Sequence, residues 1–213
     1  MHRRIAALAS ALALAASAPA AGAQVVNGSF ETPGTALGGC PSFFGSIAGT
    51  TITGWTIVGN VDYICGLWTA DDGVMSLDMN GSAPASIFQD VLLTPGASYR
   101  LSFAMGENFF GGPAAKTMDV TVGSLPAWSF SFDNPTATAA NMGWATYTAD
   151  FVANAATMRL TFASTTPQCC WGPALDDVRL TLIAPTAVPE PATVALLGAG
   201  LGVLGVAARR RRA

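Results

Sequence analysis

The stretch Trp128-Ser129-Phe130-Ser131-Phe132 alternates three aromatic rings with two serines. Successive side chains of a β-strand point to opposite faces, so this alternation predicts a strand with its rings on one face and its hydroxyls on the other. Three rings on one face are typical of a strand that packs on a hydrophobic core. The stretch therefore predicts a half-buried strand.

Similar short runs extend from this stretch in both directions. From residue 24 to about residue 184, β-branched and aromatic residues recur between Gly, Pro, Asn and Asp clusters, with no sustained helical period. Nine short strands exceed what one open sheet usually carries, so the pattern predicts an all-β sandwich. The candidate strands are 51–58, 74–79, 86–93, 98–105, 116–122, 128–132, 145–151, 157–163 and 174–182.

Two segments of this domain resemble each other. Residues 94–104 and residues 152–163 each lead from a turn into the sequence Arg-Leu-Ser/Thr-Phe-Ala. On a strand, this order predicts that leucine and phenylalanine face the core and that arginine faces solvent. We therefore expect two strands with the same arrangement of core-facing and solvent-facing side chains.

Composition and charge restrict the functions open to the chain. Of its 213 residues, 51% are hydrophobic and 11% are charged, which argues against intrinsic disorder. Over residues 24–184, four basic and twelve acidic residues give a net charge of −8. Such a surface repels phosphate backbones, so we expect no nucleic-acid partner. The only histidine is His2, so a mature chain without it has neither a Ser/His/Asp triad nor a histidine-ligated metal.

Residues 1–23 predict a secretory signal peptide. A basic start precedes an apolar run over residues 5–16, and Ala21-Gly22-Ala23 offers a small-x-small cleavage pattern. The apolar run is shorter than the roughly 17–25 residues that a membrane span needs. We therefore expect an exported protein that begins at Gln24, with its domain over residues 24–184.

Residues 185–213 predict a sorting segment. Pro189-Glu190-Pro191 precedes an uncharged run over 192–208 and four arginines, 209–212. The uncharged run predicts a transmembrane helix of about 25 Å with its arginines in the cytoplasm. This order of elements resembles the PEP-CTERM sorting motif. The resemblance implies processing near residues 189–191 by an exosortase, an intermediate in the inner membrane, and a final place at the cell surface or outside the cell.

Several short motifs of the domain occur in an order that resembles a known family. They are Asn27-Gly-Ser-Phe-Glu31, Gly54-Trp55-Thr56, Ser76-Leu-Asp-Met-Asn-Gly81, Ile87-Phe-Gln-Asp90, Thr94-Pro-Gly-Ala-Ser-Tyr99 and Leu175-Asp-Asp-Val-Arg-Leu180. Together they resemble the choice-of-anchor C family, which is related to plant cell-wall proteins of the DUF642 type and to galactose-binding-like jelly rolls. The resemblance implies a two-sheet jelly roll that serves as a carbohydrate-binding module.

Acidic residues at both ends of the domain predict a structural calcium site. In related carbohydrate-binding modules Ca²⁺ lies between the Asn-Gly-x-Phe-Glu segment and a late aspartate, so the resemblance implies Glu31 with Asp176 or Asp177. A jelly roll brings its first and last strands together, and backbone carbonyls could complete the oxygen ligands that Ca²⁺ requires. The alternative is that Glu31 hydrogen-bonds the chain end and that the aspartates form a solvated strand end.

Aromatic residues in loops predict a sugar-binding face. Sugar recognition needs flat apolar rings and a few polar groups that fix hydroxyls. We expect Trp55 and Trp144 in the core, because they lie in or beside patterned strands. Asp78 is expected on the face opposite its apolar neighbours, where it orients a sugar hydroxyl or is merely exposed. The candidate ligand-binding residues are Trp68, Trp171, Phe109, Phe110, Asn108 and Asp78.

Four cysteines in an exported chain predict two disulfides. In one arrangement Cys40 pairs with Cys65, and the adjacent Cys169 and Cys170 close on each other. In the other, Cys40 and Cys65 each pair with one of the adjacent cysteines. The first arrangement would stiffen the loop that carries Trp171, and the second would tie three loops together at one end of the sandwich.

These expectations favour a non-catalytic exported protein that binds polysaccharide. PEP-CTERM systems are associated with exopolysaccharide production, so the resemblance implies a role in a matrix or biofilm. One alternative is a structural surface protein that contacts other proteins. A more distant alternative is a glycoside hydrolase, because paired carboxylates such as Glu31 and Glu107 can act without histidine.

Overall fold

The computed structural model describes residues 25–33 and 42–183, which form ten β-strands. Within these residues no helix is long and apolar enough to cross a bilayer. The predicted signal peptide, the sorting segment and Cys40 lie outside the described residues. The strands are β1 (Ser42–Gly49), β2 (Thr56–Cys65), β3 (Met75–Asp78), β4 (Ser86–Leu92), β5 (Ser98–Glu107), β6 (Lys116–Val122), β7 (Trp128–Phe132), β8 (Ala145–Val152), β9 (Thr157–Ser164) and β10 (Pro173–Leu182).

The strands form two antiparallel layers that share β2. Residues 56–58 of β2 pair with β4, which gives the order β7-β6-β9-β4-β2. Residues 62–65 pair with β3, which continues the order as β2-β3-β10-β5-β8. Gly59 lies between the two paired parts with φ of 83°, a conformation that glycine adopts without strain. The change of layer therefore occurs where the strand conformation is interrupted.

Aromatic rings from the two layers meet in the main core. Phe103 of β5 is 1% exposed, and its ring centroid lies 5.1 Å from that of Phe162 in β9. The ring of Phe130 in β7 lies 5.0 Å away, and both contacts are edge-to-face, which is a favourable geometry. These contacts confirm that the rings of β7 and the phenylalanines of the two similar segments face the core.

The arginines of the two similar segments face solvent, as predicted. Arg100 pairs with Asp150 at 2.7 Å, and Arg159 pairs with Asp90 at 2.8 Å. All four side chains are about half exposed. Exposed pairs of this kind contribute little to stability because water and salt screen them, so the inward-facing rings account for more of the packing energy.

The predicted strands agree with the structure except near the start of the domain. Strand β2 runs over Thr56–Cys65, whereas the prediction was 51–58. Gly59 and Asn60 have turn character, which hid the continuation of the strand. Strand β1 was not predicted at all, because its glycines interrupt the alternation, and it pairs with β2 through two register shifts.

The opening segment, residues 25–33, which the calcium prediction treated as the first strand, forms turns instead. Asn27 Nδ2 donates to the carbonyl oxygens of Thr32 and Thr53, and Phe30 is fully buried. The Gly28 carbonyl accepts from Val178 N of β10 at 3.0 Å. The expected proximity of the first and last segments is therefore correct, although the first is not a strand.

Phe103→Ala is expected to lower the free energy of unfolding by about 3–5 kcal/mol, because it leaves a cavity where both layers meet. Urea unfolding followed by tryptophan fluorescence measures this change. Leu92→Ala is the matched control, since Leu92 is 73% exposed, and its effect is expected to stay within about 0.5 kcal/mol. Equal effects of the two substitutions would contradict the central role of Phe103.

Candidate functional site

One face of the β2-β3-β10-β5 layer points away from the main core. The strand register aligns Asp62, Asp78, Ala174 and Gly106 in one row across these four strands. The adjacent row, which begins at Tyr63, lies in the main core. Because side chains alternate along a strand, the row of Asp62 lies on the opposite, outer face. The loops that carry the predicted site residues cover this face.

A second hydrophobic cluster covers part of the outer face. Trp68 is 3% exposed within it, and its indole N–H donates to Ser76 Oγ at 2.9 Å. Trp68 also borders a hollow of about 390 Å³, but its ring packs on the sheet, so the predicted exposed binding ring is wrong. Trp144 is half-buried in this cluster rather than in the main core, whereas Trp55 is in the main core as predicted.

Asp78 is the centre of a polar network on the outer face. It is 0% exposed, and its Oδ1 accepts hydrogen bonds from Asn80 N and Gly172 N, both at 2.9 Å. Its Oδ2 accepts from Asn108 Nδ2 at 2.7 Å. Burial raises the pKa of Asp78 to about 7, and these hydrogen bonds oppose the increase. The sequence analysis predicted the face of the sheet that carries Asp78 correctly. The alternative that Asp78 is exposed was wrong, because the loops at Asn108 and Gly172 close over its carboxylate.

Asn108 connects this network to two loops. Its Nδ2 also donates to the Cys170 carbonyl at 3.1 Å, and its Oδ1 accepts from Phe110 N at 3.0 Å. The side chain is buried, and both ends of its amide bond to protein groups. Asn108, a candidate ligand-binding residue in the sequence analysis, therefore holds the loops of Phe110 and Cys170 in place.

Gly172 allows the chain to pass close to the network. A Cβ atom at this position would lie 2.6 Å from Asp78 Oδ1 and 2.6 Å from Asn80 Oδ1, so only glycine fits. Asn80 Nδ2 donates to the Thr166 and Gln168 carbonyls at 3.1 and 2.8 Å. This close approach determines the path of the chain beside Trp171.

A buried lysine supports the loop that carries Phe110. Lys116 Nζ donates to the Gly111 carbonyl at 2.6 Å. Burial lowers the pKa of Lys116, and the carboxylates of Glu107 and Asp78 oppose the decrease. Glu107 is buried as well and accepts from Asn134 N at 3.2 Å, and burial raises its pKa. The sequence analysis did not single out Lys116, although it is the only lysine.

A hollow of about 320 Å³ opens on the outer face between β2 and these loops. Phe110 and Trp171 are 54% and 37% exposed, so both present ring surface there. Phe109 is half-buried against the second cluster, with its ring centroid 4.4 Å from that of Phe110. The hollow is lined by Asp62, Ile64, Leu67, Asn108, Phe110, Cys170 and Trp171.

Asp62 supplies a polar group that the sequence analysis missed. Its Oδ1 accepts from Ser46 Oγ at 2.5 Å, while its Oδ2 has no hydrogen-bond partner in the part of the chain that the structure describes. Burial raises the pKa of Asp62, and the bond from Ser46 opposes the increase. The sequence does show a charged residue between the apolar Val61 and Tyr63, which could have marked Asp62 as a candidate. Only the strand register, however, places Asp62 beside Asp78.

The cysteines differ from both predicted arrangements. Cys169 and Cys170 are free thiols, although either arrangement required both to be oxidised. The two thiols interact with each other. A hydrogen bond with Cys169 is the main cause that raises the pKa of Cys170 to about 11. Cys65 is buried and disulfide-bonded, while Cys40 lies outside the described residues.

The predicted calcium ligands lie around one loop, residues 71–75. Glu31 Oε1 accepts from Val74 N at 2.9 Å and from Met75 N at 2.7 Å. Asp176 is buried, and its Oδ2 accepts from the backbone N–H groups of residues 71 and 72 at 2.8 and 3.0 Å. Burial raises the pKa of Asp176 to about 7. Glu31 and Asp176 therefore hold neighbouring parts of the same loop.

Asp177 has a different environment from Asp176. Its carboxylate forms an ion pair with Arg179, which also contacts Asp72 at 3.3 Å. Within the described ranges, the structure shows no group of three or more acidic, cysteine or histidine side chains arranged for a metal. Of the two aspartates, Asp176 is thus the one whose carboxylate lacks a basic partner in the described part of the chain.

Glu31 and Glu107, the carboxylates considered for glycoside hydrolysis, are held by different segments. Glu31 bonds the loop before β3, whereas Glu107 bonds Asn134 after β7. Neither lines the hollow beside Trp171.

The fold and the sequence together define a class of protein with an antiparallel β-sandwich followed by a sorting segment. The model of the family "Protein of unknown function (DUF642)" matches residues 23–181, and the chain belongs to this family. The PEP-CTERM protein-sorting motif matches residues 187–212, which confirms the predicted resemblance. The chain is therefore an exported protein that is handled at the membrane.

The chain is also similar to individual proteins. Halomucin of Haloquadratum walsbyi is 33% identical over 162 residues, which cover 73% of this chain and 2% of halomucin. The chain thus spans a very small part of that relative. TmCBM61, solved with beta-1,4-galactotriose, has a TM-score of 0.48 at 16% identity and covers 75% of this chain and 99% of its own. A family 35 carbohydrate-binding module from Clostridium thermocellum has a TM-score of 0.45 at 17% identity, with coverage of 59% and 90%. At these identities the likeness concerns the fold alone.

Asp78→Asn is expected to flatten the pH dependence of stability. The unfolded chain releases this proton near pH 3.8 and the folded chain near pH 7, so the folded state binds more protons between these values. The contribution of Asp78 to the free energy of unfolding therefore decreases as pH rises from about 4 to 7. Urea unfolding at pH 5 and pH 7.5 measures the slope.

The matched control is Asp150→Asn, because Asp150 is exposed and its ion pair with Arg100 lowers its pKa. This variant is expected to keep the wild-type slope between pH 5 and 7.5. The absolute stability of Asp78→Asn is expected to be lower at every pH, since an amide donor would face Asn108 Nδ2. A wild-type slope in Asp78→Asn would contradict the perturbed carboxyl group.

Proposed function

We propose that the domain is a non-catalytic carbohydrate-binding module that connects an exported surface protein to extracellular polysaccharide. One observation carries the proposal: the exposed rings of Phe110 and Trp171 line one hollow of about 320 Å³ together with Asp62, one of whose oxygens has no partner among the described residues. Aromatic faces pack on the apolar C–H face of a pyranose, and a carboxylate oxygen accepts hydrogen bonds from its hydroxyls. The hollow provides both kinds of contact.

The rigid support of the two rings favours binding over accidental exposure. A Cβ atom on Gly111 would lie 2.9 Å from Cδ2 and Cε2 of Trp171, so the indole packs directly on the backbone there. The loop of Phe110 is held by Asn108, which is in turn bonded to the buried Asp78. Side chains that are already held in place lose less conformational entropy when a ligand binds.

The sorting motif is consistent with a polysaccharide partner outside the cell. In this proposal the tail passes through the inner membrane, an exosortase processes it near Pro189-Glu190-Pro191, and the domain reaches the cell surface or the medium. There it would bind exopolysaccharide and contribute to a matrix or biofilm. The partners are therefore a polysaccharide and, transiently, the exosortase and the inner membrane.

Trp171→Ala and Phe110→Ala are each expected to weaken polysaccharide binding about tenfold, since one stacked ring is worth roughly 1–1.5 kcal/mol. Affinity electrophoresis of the full chain in mild detergent, in gels that contain a panel of neutral, amino and acidic polysaccharides, measures binding. Leu92→Ala and Val152→Ala are matched controls, because they remove exposed apolar side chains outside the hollow. Retardation by no polysaccharide would instead favour a structural protein that contacts other proteins.

We also propose that Glu31 and Asp176 bind a structural Ca²⁺ beside the loop of residues 71–75. Their carboxylates provide hard oxygen donors, and Glu31 Oε2 has no hydrogen-bond partner among the residues that the structure describes. Backbone carbonyls and water would complete the six to eight oxygens, approximately, that Ca²⁺ takes. Asp177 is the weaker candidate, since Arg179 already neutralises it.

Calcium is expected to raise the midpoint of thermal unfolding of the full chain, and EDTA to reverse the increase, because a ligand of the folded state alone stabilises it. Glu31→Gln and Asp176→Asn are expected to abolish the calcium-dependent increase. Asp90→Asn, in an exposed ion pair with Arg159, should retain it. An increase of the same size in all three variants would exclude these two ligands.

A further inference from the structure

We infer that the hollow beside Trp171 selects glycans with free amino groups, such as hexosamine polymers that are not fully acetylated. The inference rests on the proposed carbohydrate-binding function and names the class of sugar. Its basis is the combination of two exposed aromatic rings with a carboxylate that has no basic partner in the described part of the chain.

The first step concerns the negative charge at the hollow. Asp62 and Asp78 lie directly opposite each other on β2 and β3. Burial raises the pKa of Asp78 to about 7, so at lower pH Asp78 is mainly protonated and Asp62 provides the negative charge of the pair. Asp78 has the buried ammonium of Lys116 nearby, but Asp62 bonds only Ser46 among the described residues. A cation in the hollow would compensate the remaining charge.

The second step concerns the basic groups of the domain. Arg100, Arg159 and Arg179 are each paired with aspartates. Lys116 is buried and donates to the Gly111 carbonyl. Within residues 25–33 and 42–183, the hollow is therefore lined by no basic side chain that could bind a uronate or sulfate group. An anionic polysaccharide would meet Asp62 without any compensating contact.

The third step concerns the rings. The faces of tryptophan and phenylalanine carry partial negative charge and attract cations, and the attraction grows as water is excluded. An ammonium group between such rings and a carboxylate gains both this attraction and a charge-assisted hydrogen bond. Trp171, Phe110 and Asp62 line the same hollow, so one protonated amino sugar can use all three.

The test compares three oligosaccharides of equal length on the full chain at pH 6: glucosamine, N-acetylglucosamine and galacturonic acid oligomers. Isothermal titration calorimetry is expected to show the glucosamine oligomer binding about tenfold more tightly than its acetylated counterpart, as one charged hydrogen bond provides. The galacturonic acid oligomer is expected to bind most weakly.

Asp62→Asn is the deciding variant, because asparagine keeps the shape of the side chain and its bond from Ser46. It should reduce the preference for the glucosamine oligomer over the acetylated oligomer to less than about threefold, because the glucosamine oligomer loses its charge-assisted hydrogen bond. Asp90→Asn removes the same charge outside the hollow and should keep the tenfold preference.

The outcomes separate the two proposals. A preference that survives in Asp62→Asn, or tight binding of the galacturonic acid oligomer, would overturn the inference and leave carbohydrate binding intact. Binding of a neutral polysaccharide with no preference for amino groups would do the same. Failure of every glycan in both experiments would overturn the inference together with the proposed function.

Discussion

Burial of the Asp78 carboxylate is the constraint on which the outer face of the sandwich depends. A buried carboxylate is costly unless its oxygens are hydrogen-bonded, and here the donors come from three separate segments, at Asn80, Asn108 and Gly172. Each donor belongs to a chain segment that leads into a loop of the site. Satisfying one charge therefore fixes the positions of loops that are far apart in the sequence. The glycine at 172 follows from the same requirement, because a side chain there would collide with the carboxylate.

The sandwich separates two kinds of aromatic residue. Rings such as Phe103 and Phe162 join the layers in the main core, where they replace solvent with edge-to-face contacts. On the outer face, Trp68 packs on the sheet and covers it, whereas Phe110 and Trp171 remain at the surface. These two exposed rings are the basis of the proposed binding surface. The buried cluster around Trp68 thus supports the part of the outer face where Phe110 and Trp171 are exposed.

Charged side chains are likewise divided between the surface and the interior. The arginines of the domain form exposed pairs with aspartates at the surface, while the single lysine is buried under the loop of Phe110. Its ammonium lies among the carboxylates of Asp78 and Glu107, which offset part of its desolvation. Asp62 receives no such compensation from the described residues, and it borders the hollow. The acidic balance that is visible in the sequence therefore reaches the hollow through Asp62.

The amino-acid sequence alone determined which side chains of a strand face the core and which face solvent, and it carries the sorting signal of the protein. The alternation of Trp128–Phe132 and the repeated Arg-Leu-Ser/Thr-Phe-Ala predicted inward and outward side chains correctly, because side-chain direction in a strand depends on immediate neighbours. The sorting motif is likewise a linear pattern. Tertiary structure decided which residues form the site. Trp68 and Trp171 both follow cysteines in irregular segments, yet one is buried and the other exposed, since burial depends on what packs from distant strands. Asp62 and Asp78 became neighbours only through the register of β2 and β3, which short-range sequence patterns do not specify.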